Sequence, residues 1–118
     1  MIMKGSVALP LLLGDLMPKL EELEKSVGEW AEGKGLIFEG NEVAQVNKFI
    51  EEAYEFADEV HMGNRDKVIM EGGDVLVTLC VQAKLQDTTL AEMLESAYNK
   101  ISKRKGKTID GTFVKAGE

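Results

Sequence analysis

Apolar residues recur at intervals of three and four along most of the chain, which is the spacing of one face of an α-helix. The first such run ends at Gly33, and the second begins after Asn41, an expected N-cap, and ends at Gly63. Both runs predict amphipathic helices that stop at glycine. Their apolar positions are Leu16, Leu20, Leu23 and Val27 in the first run and Val43, Val46, Ile50, Ala53, Ala57 and Val60 in the second.

The third helical run, from about Asp66 to Leu85, differs because its apolar residues cover all sides of the helical wheel. A helix that is apolar all round is buried in its protein. A chain of 118 residues has little material to surround such a helix, so we expect a second subunit to cover part of it. A second interpretation is that Gly72 and Gly73 break this run, and that the helix begins at Asp74 as its N-cap.

A capping box of Thr89 and Glu92 predicts the start of a fourth helix, which continues through Ile101 and ends at Gly106. The residues from Thr108 to Lys115 alternate weakly, which predicts a short strand or an extended arm. Both prolines lie within the first eighteen residues, so no later position forbids a long helix.

These elements predict an all-α fold in one domain spanning residues 1–118. We expect a four-helix bundle completed by oligomerisation, with a core at about 15–105 and a short extended C-terminal arm at about 106–118. A composition of 44% hydrophobic and 30% charged residues can bury a core, which excludes a disordered chain.

Charge and cysteine content narrow the classes of function. A net charge of −7 excludes nonspecific wrapping of nucleic acid, and a single Cys80 excludes an intramolecular disulfide and a cysteine-based zinc cluster. The apolar stretch from Ser6 to Leu13 lacks a small-residue cleavage site and is shorter than the roughly 20 residues that span a bilayer. We therefore expect a cytoplasmic protein that binds neither nucleic acid nor membrane.

Acidic residues form the most informative pattern in the chain. At about 100° per residue, Glu52 and Glu55 share a stripe of the second helix with Lys48, while Glu71 and Asp74 share a face of the apolar third helix. Buried carboxylates without a partner cost several kcal/mol and repel one another. Four carboxylates from two facing helices form an oxygen-rich cage that suits Mg²⁺ or Mn²⁺, whereas zinc prefers His or Cys.

A solvated helix face is the competing interpretation, and it applies to Glu51, Glu52 and Glu55 taken alone. The second pair of acids, Glu71 and Asp74, argues against a solvated face because Gly72 and Gly73 lie between them. Each glycine costs a helix interior about 1 kcal/mol relative to alanine, which a purely structural helix has little reason to tolerate. Small residues there let a backbone or a ligand come close.

The segment Glu51-Glu52-Ala53-Tyr54-Glu55 and the segment Glu71-Gly72-Gly73-Asp74, with fifteen residues between them, resemble the EExxE and ExxD pair of the MazG-like, all-α nucleoside triphosphate pyrophosphohydrolases. The similarity extends to Lys48 and to Tyr98-Asn99-Lys100 with Arg104, and it covers roughly residues 30–115. Each half-motif is common by itself. Both halves, in order on consecutive helices, make the resemblance specific.

The resemblance implies Mg²⁺-dependent hydrolysis of a nucleoside triphosphate to the monophosphate and pyrophosphate, in a homodimer or homotetramer that cleans the nucleotide pool. Glu51 matches the remaining motif glutamate and is a candidate for orienting water, so the catalytic candidates are Glu51, Glu52 and Glu55. The metal ligands implied are Glu52, Glu55, Glu71 and Asp74, and the phosphate-binding candidates are Lys48, Asn99, Lys100 and Arg104.

Several alternatives stay open. Trp30 and Tyr98 either stack on a nucleobase or pack in the core or an interface. The basic residues that end the fourth helix either complement its dipole, capture phosphate or bind nucleic acid. Dimeric dUTPases and phosphoribosyl-ATP pyrophosphohydrolases are rivals on the same fold, and a noncatalytic helical module that binds a cation or a basic partner is a rival of another class. The basic residues are Lys100, Lys103, Arg104, Lys105 and Lys107.

Overall fold

The computed structural model describes residues 19–117 and shows four helices followed by a β-hairpin, which confirms the predicted helical architecture. The expectations about Ser6 to Leu13 and about Leu16 lie outside the described residues. The helices are α1 (Leu20–Gly33), α2 (Glu42–Met62), α3 (Arg65–Leu85) and α4 (Leu90–Ile101), and the strands are β1 (Gly106–Ile109) and β2 (Thr112–Lys115). None of these four helices is both long and apolar enough to cross a membrane.

Local signals account for most of the helix ends. Gly63 ends α2 in the left-handed conformation, with φ of 76°. Asn64 then caps α3, its side chain accepting a hydrogen bond from the backbone N–H of Lys67 at 3.2 Å. Thr89 caps α4 in the same way. Because α3 runs without interruption from Arg65 to Leu85, the interpretation in which Gly72 and Gly73 break it is wrong.

Asn41 does not act as the predicted side-chain cap of α2. Its backbone is already close to helical, with φ of −79° and ψ of 0°, whereas a capping residue usually has extended backbone. The Asn41 amide instead donates to the Leu36 carbonyl at 2.7 Å, and the residue is only 8% exposed. The side chain therefore fixes the loop between α1 and α2.

The third helix is the centre of the fold and packs against each of the other three helices. On the α1 side, Gly28 lets the Lys84 stem approach so closely that an added Cβ would lie 3.3 Å from Lys84 Cδ. The Lys84 ammonium then lies 3.5 Å from the Glu32 carboxylate. The Glu24 carboxylate of α1 accepts a hydrogen bond from the first N–H of α4, at Leu90, at 2.8 Å. This carboxylate lies at the positive end of the α4 dipole.

The core of a single chain is small. Val81 is the largest side chain that is fully buried among the described residues, and Ala31 and Ala83 are its fully buried companions. The other half of α3 leaves Ile69 and Met70 exposed, at 56% and 65%. One chain therefore does not bury the apolar helix on all sides, and its coverage by a second subunit stays a prediction.

The C-terminal residues form a β-hairpin rather than an extended arm. Strands β1 and β2 pair antiparallel across Asp110 and Gly111, whose φ angles of 50° and 81° match a type I′ turn. The fourth helix ends at Ile101, five residues before the Gly106 that we expected to stop it, and Gly106 instead opens β1. An added Cβ on Gly106 would lie 2.7 Å from the Phe113 ring, so this glycine lets the two strands fit together.

Candidate active site

Three carboxylates meet where α2 packs along α3. Glu52 and Glu55 project from adjacent turns of α2, and Glu71 projects from α3. One oxygen from each of these side chains lies within 4.8 Å of the other two. The helical pairing of α2 and α3 therefore brings together three of the four predicted metal ligands.

The negative charge of this cluster is incompletely compensated. Glu52 Oε1 and Glu71 Oε1 are both buried and have no hydrogen-bond partner among the described residues. Burial raises the pKa of Glu71 above its ordinary value, and the charges of Glu55 and Asp74 raise it further. Buried carboxylate oxygens without a donor are costly unless a cation or a proton reaches them.

Lys48 supplies positive charge to one edge of the cluster. Its Nζ lies 2.9 Å from Glu51 Oε1 and 3.2 Å from Glu52 Oε2. These two hydrogen bonds, that to Glu51 first, raise the pKa of Lys48 above its ordinary value. The lysine contacts the second oxygen of Glu52, so Oε1 still lacks a donor. A divalent cation fits the remaining set of oxygens, because hard cations are held by carboxylates.

A cleft of about 470 Å³ adjoins the cluster. Its acidic end carries Glu52 and Lys48 from α2 and Asp74 from α3, whereas Trp30 from α1 contributes an aromatic wall. The volume falls within the range of small-molecule sites. The other lining residues are Leu36, Ala44, Gln45, Val77, Thr78 and Val81.

The remaining predicted acids are placed less centrally. Asp74 lines the cleft but is not part of the 4.8 Å group, although its charge contributes to the raised pKa of Glu71. Glu51 is exposed and contacts Lys48 rather than the other carboxylates of the cluster. Within one chain, Glu51 is therefore positioned to orient the Lys48 side chain.

Four predicted residues lie on α4 or just after it, and none belongs to the group of three carboxylates. All four are exposed, and none lines the cleft as residues 19–117 form it. A single chain thus does not bring them to the cleft. They are Tyr98, Asn99, Lys100 and Arg104.

The two glycines of α3 differ in what they permit. An added Cβ on Gly72 would lie 3.2 Å from the ring of Phe56 on α2, whereas one on Gly73 would meet nothing within 4 Å. Gly72 therefore lets the two helices that carry the carboxylates pack closely beside Glu71. The small residues predicted close approach either by another part of the protein or by a ligand, and Gly72 permits the first of these.

Sequence reasoning missed Gln45 as a member of the cleft. Gln45 lies three residues before Lys48 and seven before Glu52, so it shares their face of α2, and this spacing was the available signal. Thr78, four residues after Asp74 on α3, also lines the cleft. Its hydroxyl, however, donates to the Val75 carbonyl at 2.7 Å.

Residues 41–109 match the family model of the MazG nucleotide pyrophosphohydrolase domain. This segment contains α2, α3, α4 and β1, and with them all three carboxylates of the cluster. No curated protein and no solved structure matches the chain.

Proposed function

The chain belongs to the MazG nucleotide pyrophosphohydrolase domain family, and we propose that it is a Mg²⁺-dependent enzyme that hydrolyses nucleoside or deoxynucleoside triphosphates. Water attacks so that the bond between the α and β phosphates breaks, which releases the monophosphate and pyrophosphate. The proposed role is removal of unwanted nucleotides from the cytoplasmic pool.

One observation carries this proposal: two buried carboxylate oxygens of the cluster, Glu52 Oε1 and Glu71 Oε1, lack donors among the described residues, and Glu52 also lines the cleft of about 470 Å³. A purely structural cluster would leave these oxygens uncompensated, at a cost in stability. A catalytic cluster receives its compensation from a cation that arrives alone or with the substrate.

The proposed ligands of Mg²⁺, or of Mn²⁺ in its place, are Glu52, Glu55, Glu71 and Asp74. A divalent ion held there supplies positive charge to the phosphate oxygens and lowers the pKa of the attacking water. Glu52 and Glu55 act as catalytic groups through this role, since the same carboxylates orient water beside the phosphate. Glu51 acts one step further out by holding Lys48 in place.

The remaining groups of the cleft suit the two other parts of a nucleotide. The Lys48 ammonium is already at the acidic end, beside Glu51 and Glu52, where it would donate to the phosphate oxygens of a bound triphosphate. The Trp30 ring is 49% exposed and lies in the cleft wall, so its face is open to stacking by a nucleobase.

We infer that the active form is a homodimer or homotetramer. The face of α2 that carries Val43 and Ile50 leaves these side chains 68% and 47% exposed in one chain, and Tyr54 beside them is 70% exposed. A second copy would remove this apolar surface from water. In such an assembly Tyr98, Asn99, Lys100 and Arg104 are the proposed contributors of base and phosphate contacts to a neighbouring site.

The direct test is product analysis by ³¹P NMR with a panel of ribo- and deoxyribonucleoside triphosphates and Mg²⁺. We expect monophosphate and pyrophosphate from at least one nucleotide, and no turnover after chelation. Glu55→Gln and Asp74→Asn should each lower kcat at least 100-fold, because each removes a proposed ligand charge while keeping side-chain size.

Glu95→Gln is the matched control, since Glu95 is an exposed carboxylate on α4 away from the cluster. It should leave turnover unchanged. Release of orthophosphate and a diphosphate, or full activity in the Glu55 and Asp74 variants, would contradict the proposal. Absence of turnover with every nucleotide would favour a noncatalytic module.

A further inference from the structure

Gln45 occupies a part of the cleft that the acidic chemistry does not use. It shares one face of α2 with Lys48 and Glu52, and all three line the same cleft. At 1.5 Å per residue, about 10 Å of helix separates Gln45 from Glu52. The cleft therefore has a charged end and, about two helical turns away, a neutral end.

The rest of the cleft lining combines apolar walls with one uncommitted amide. Leu36, Val77 and Val81 supply hydrocarbon surface, and Trp30 supplies an aromatic face. The Gln45 amide has no hydrogen-bond partner in the part of the chain that the structure describes. An amide among apolar walls offers two donors and an acceptor to whatever enters the cleft.

The other polar side chains near this end are already committed. The Asn41 amide donates to the Leu36 carbonyl at 2.7 Å, and the Thr78 hydroxyl donates to the Val75 carbonyl, also at 2.7 Å. Both groups hold the protein together. Gln45 is thus the neutral cleft side chain whose donors and acceptor both remain available, within residues 19–117.

We propose that Gln45 is a specificity-determining residue that hydrogen-bonds the edge of the nucleobase, an inference that rests on the proposed function. A triphosphate directed to the acidic end leaves the base, at the opposite end of the nucleoside, beside Trp30 and Gln45. Stacking on the Trp30 ring sets the plane of the base. The Gln45 amide then pairs with adjacent donor and acceptor groups on its edge, and a base that presents the wrong pattern leaves the amide unpaired.

The experiment uses the full chain and its one tryptophan, Trp30, as a fluorescent reporter of the cleft. Nucleoside monophosphates with each of the common bases are titrated in the presence of Mg²⁺, and kcat/KM is measured for the corresponding triphosphates. Gln45→Met keeps the side-chain length but removes both hydrogen-bonding groups. We expect about ten-fold weaker binding of the preferred base and a smaller spread of kcat/KM among the bases.

Gln45→Glu is a second variant, which keeps an acceptor and loses the donors. It should shift the order of preference toward bases that present an amino group. Gln86→Met is the matched control, because Gln86 is an exposed amide at the C-terminal end of α3 and does not line the cleft. Circular dichroism confirms that each variant is folded.

Hydrolysis by the wild-type protein, with both the order and the spread of base preference unchanged in the two Gln45 variants, would overturn this inference and leave the proposed function standing. If the wild-type protein neither responds to any monophosphate nor hydrolyses any triphosphate, the proposed function and this inference both fail. A flattened or reordered preference in the Gln45 variants, with the Gln86 control unchanged, supports the inference.

Discussion

Replacing Glu71 by glutamine should make the metal-free protein more stable and remove its stabilisation by Mg²⁺. The substitution keeps the shape of the side chain and removes one of three charges whose oxygens lie within 4.8 Å of one another. The new amide can also donate to Glu52 Oε1, which now has no donor among the described residues. Both effects stabilise the folded state in the absence of metal.

The dependence of stability on pH follows from the raised pKa of Glu71. Burial is the largest cause of this raised pKa, and the neighbouring carboxylates add to it. The folded state holds the Glu71 proton more tightly than the unfolded state does, so wild-type stability falls as the pH rises through the interval between the two pKa values. The advantage of the glutamine variant is therefore largest above the raised pKa, at neutral pH. It disappears below the ordinary pKa of glutamate.

The loss of metal stabilisation sets the size of the second effect. At free Mg²⁺ about 100 times its Kd, binding adds about 2.7 kcal/mol to the free energy of unfolding of the wild-type protein. For a chain of 118 residues, this corresponds to a rise of about 11 °C in Tm. The glutamine variant should show little of this rise, because one ligand charge is missing.

The assay is thermal unfolding followed by circular dichroism, in chelated buffer and with added Mg²⁺, at neutral pH and near pH 4. Glu95→Gln, the exposed carboxylate on α4, is the control and should behave like the wild-type protein. A Glu71→Gln protein that melts below the wild type without metal at neutral pH, or that keeps the full rise with Mg²⁺, would refute the reasoning.

Three further predictions concern the packing around the site. Gly73→Ala should raise the free energy of unfolding by about 0.5–1 kcal/mol. Gly72→Ala should raise it less, because the added Cβ would lie 3.2 Å from the Phe56 ring. Denaturant titrations that give equal gains for the two variants would contradict this. Cys80 is 7% exposed, and burial and the nearby charge of Glu24 raise the pKa of its thiol. The thiol should therefore react with iodoacetamide at pH 8 much more slowly in the folded protein than in the unfolded chain. Equal rates would contradict its burial. Ile50→Lys should yield a folded monomer in light scattering, since Ile50 is 47% exposed in one chain, and an unchanged mass would place the interface elsewhere.

Local patterns predicted much of the fold. Periodic apolar residues located four helices, and Gly63 and Thr89 marked ends that the structure confirms. The hairpin also had a local signal, since Asp110-Gly111 is a strong type I′ turn sequence, but its alternation was interpreted only as a strand or an arm. Asn41 shows the limit of such signals, because its side chain donates a hydrogen bond to the Leu36 carbonyl instead of capping α2.

The candidate site was only partly predictable for a related reason. The spacing of Glu52 and Glu55 along one helix determines that both carboxylates lie on nearly the same face. Whether Glu71 meets them depends on the rotation and the distance of α3 against α2, to which contacts such as Phe56 on Gly72 contribute. The same applies to Trp30, which reaches the cleft from a third helix.

The amino-acid sequence alone determined the helices, the motif and the negative charge of the site, because these depend on residue type and on neighbours within a few positions. Only the tertiary structure decided which carboxylate oxygens lack a donor, that Lys48 occupies one side of Glu52, and that Gln45 lies in the cleft. These properties arise from atoms on separate helices. Their distances are the result of packing, which no single stretch of the chain encodes.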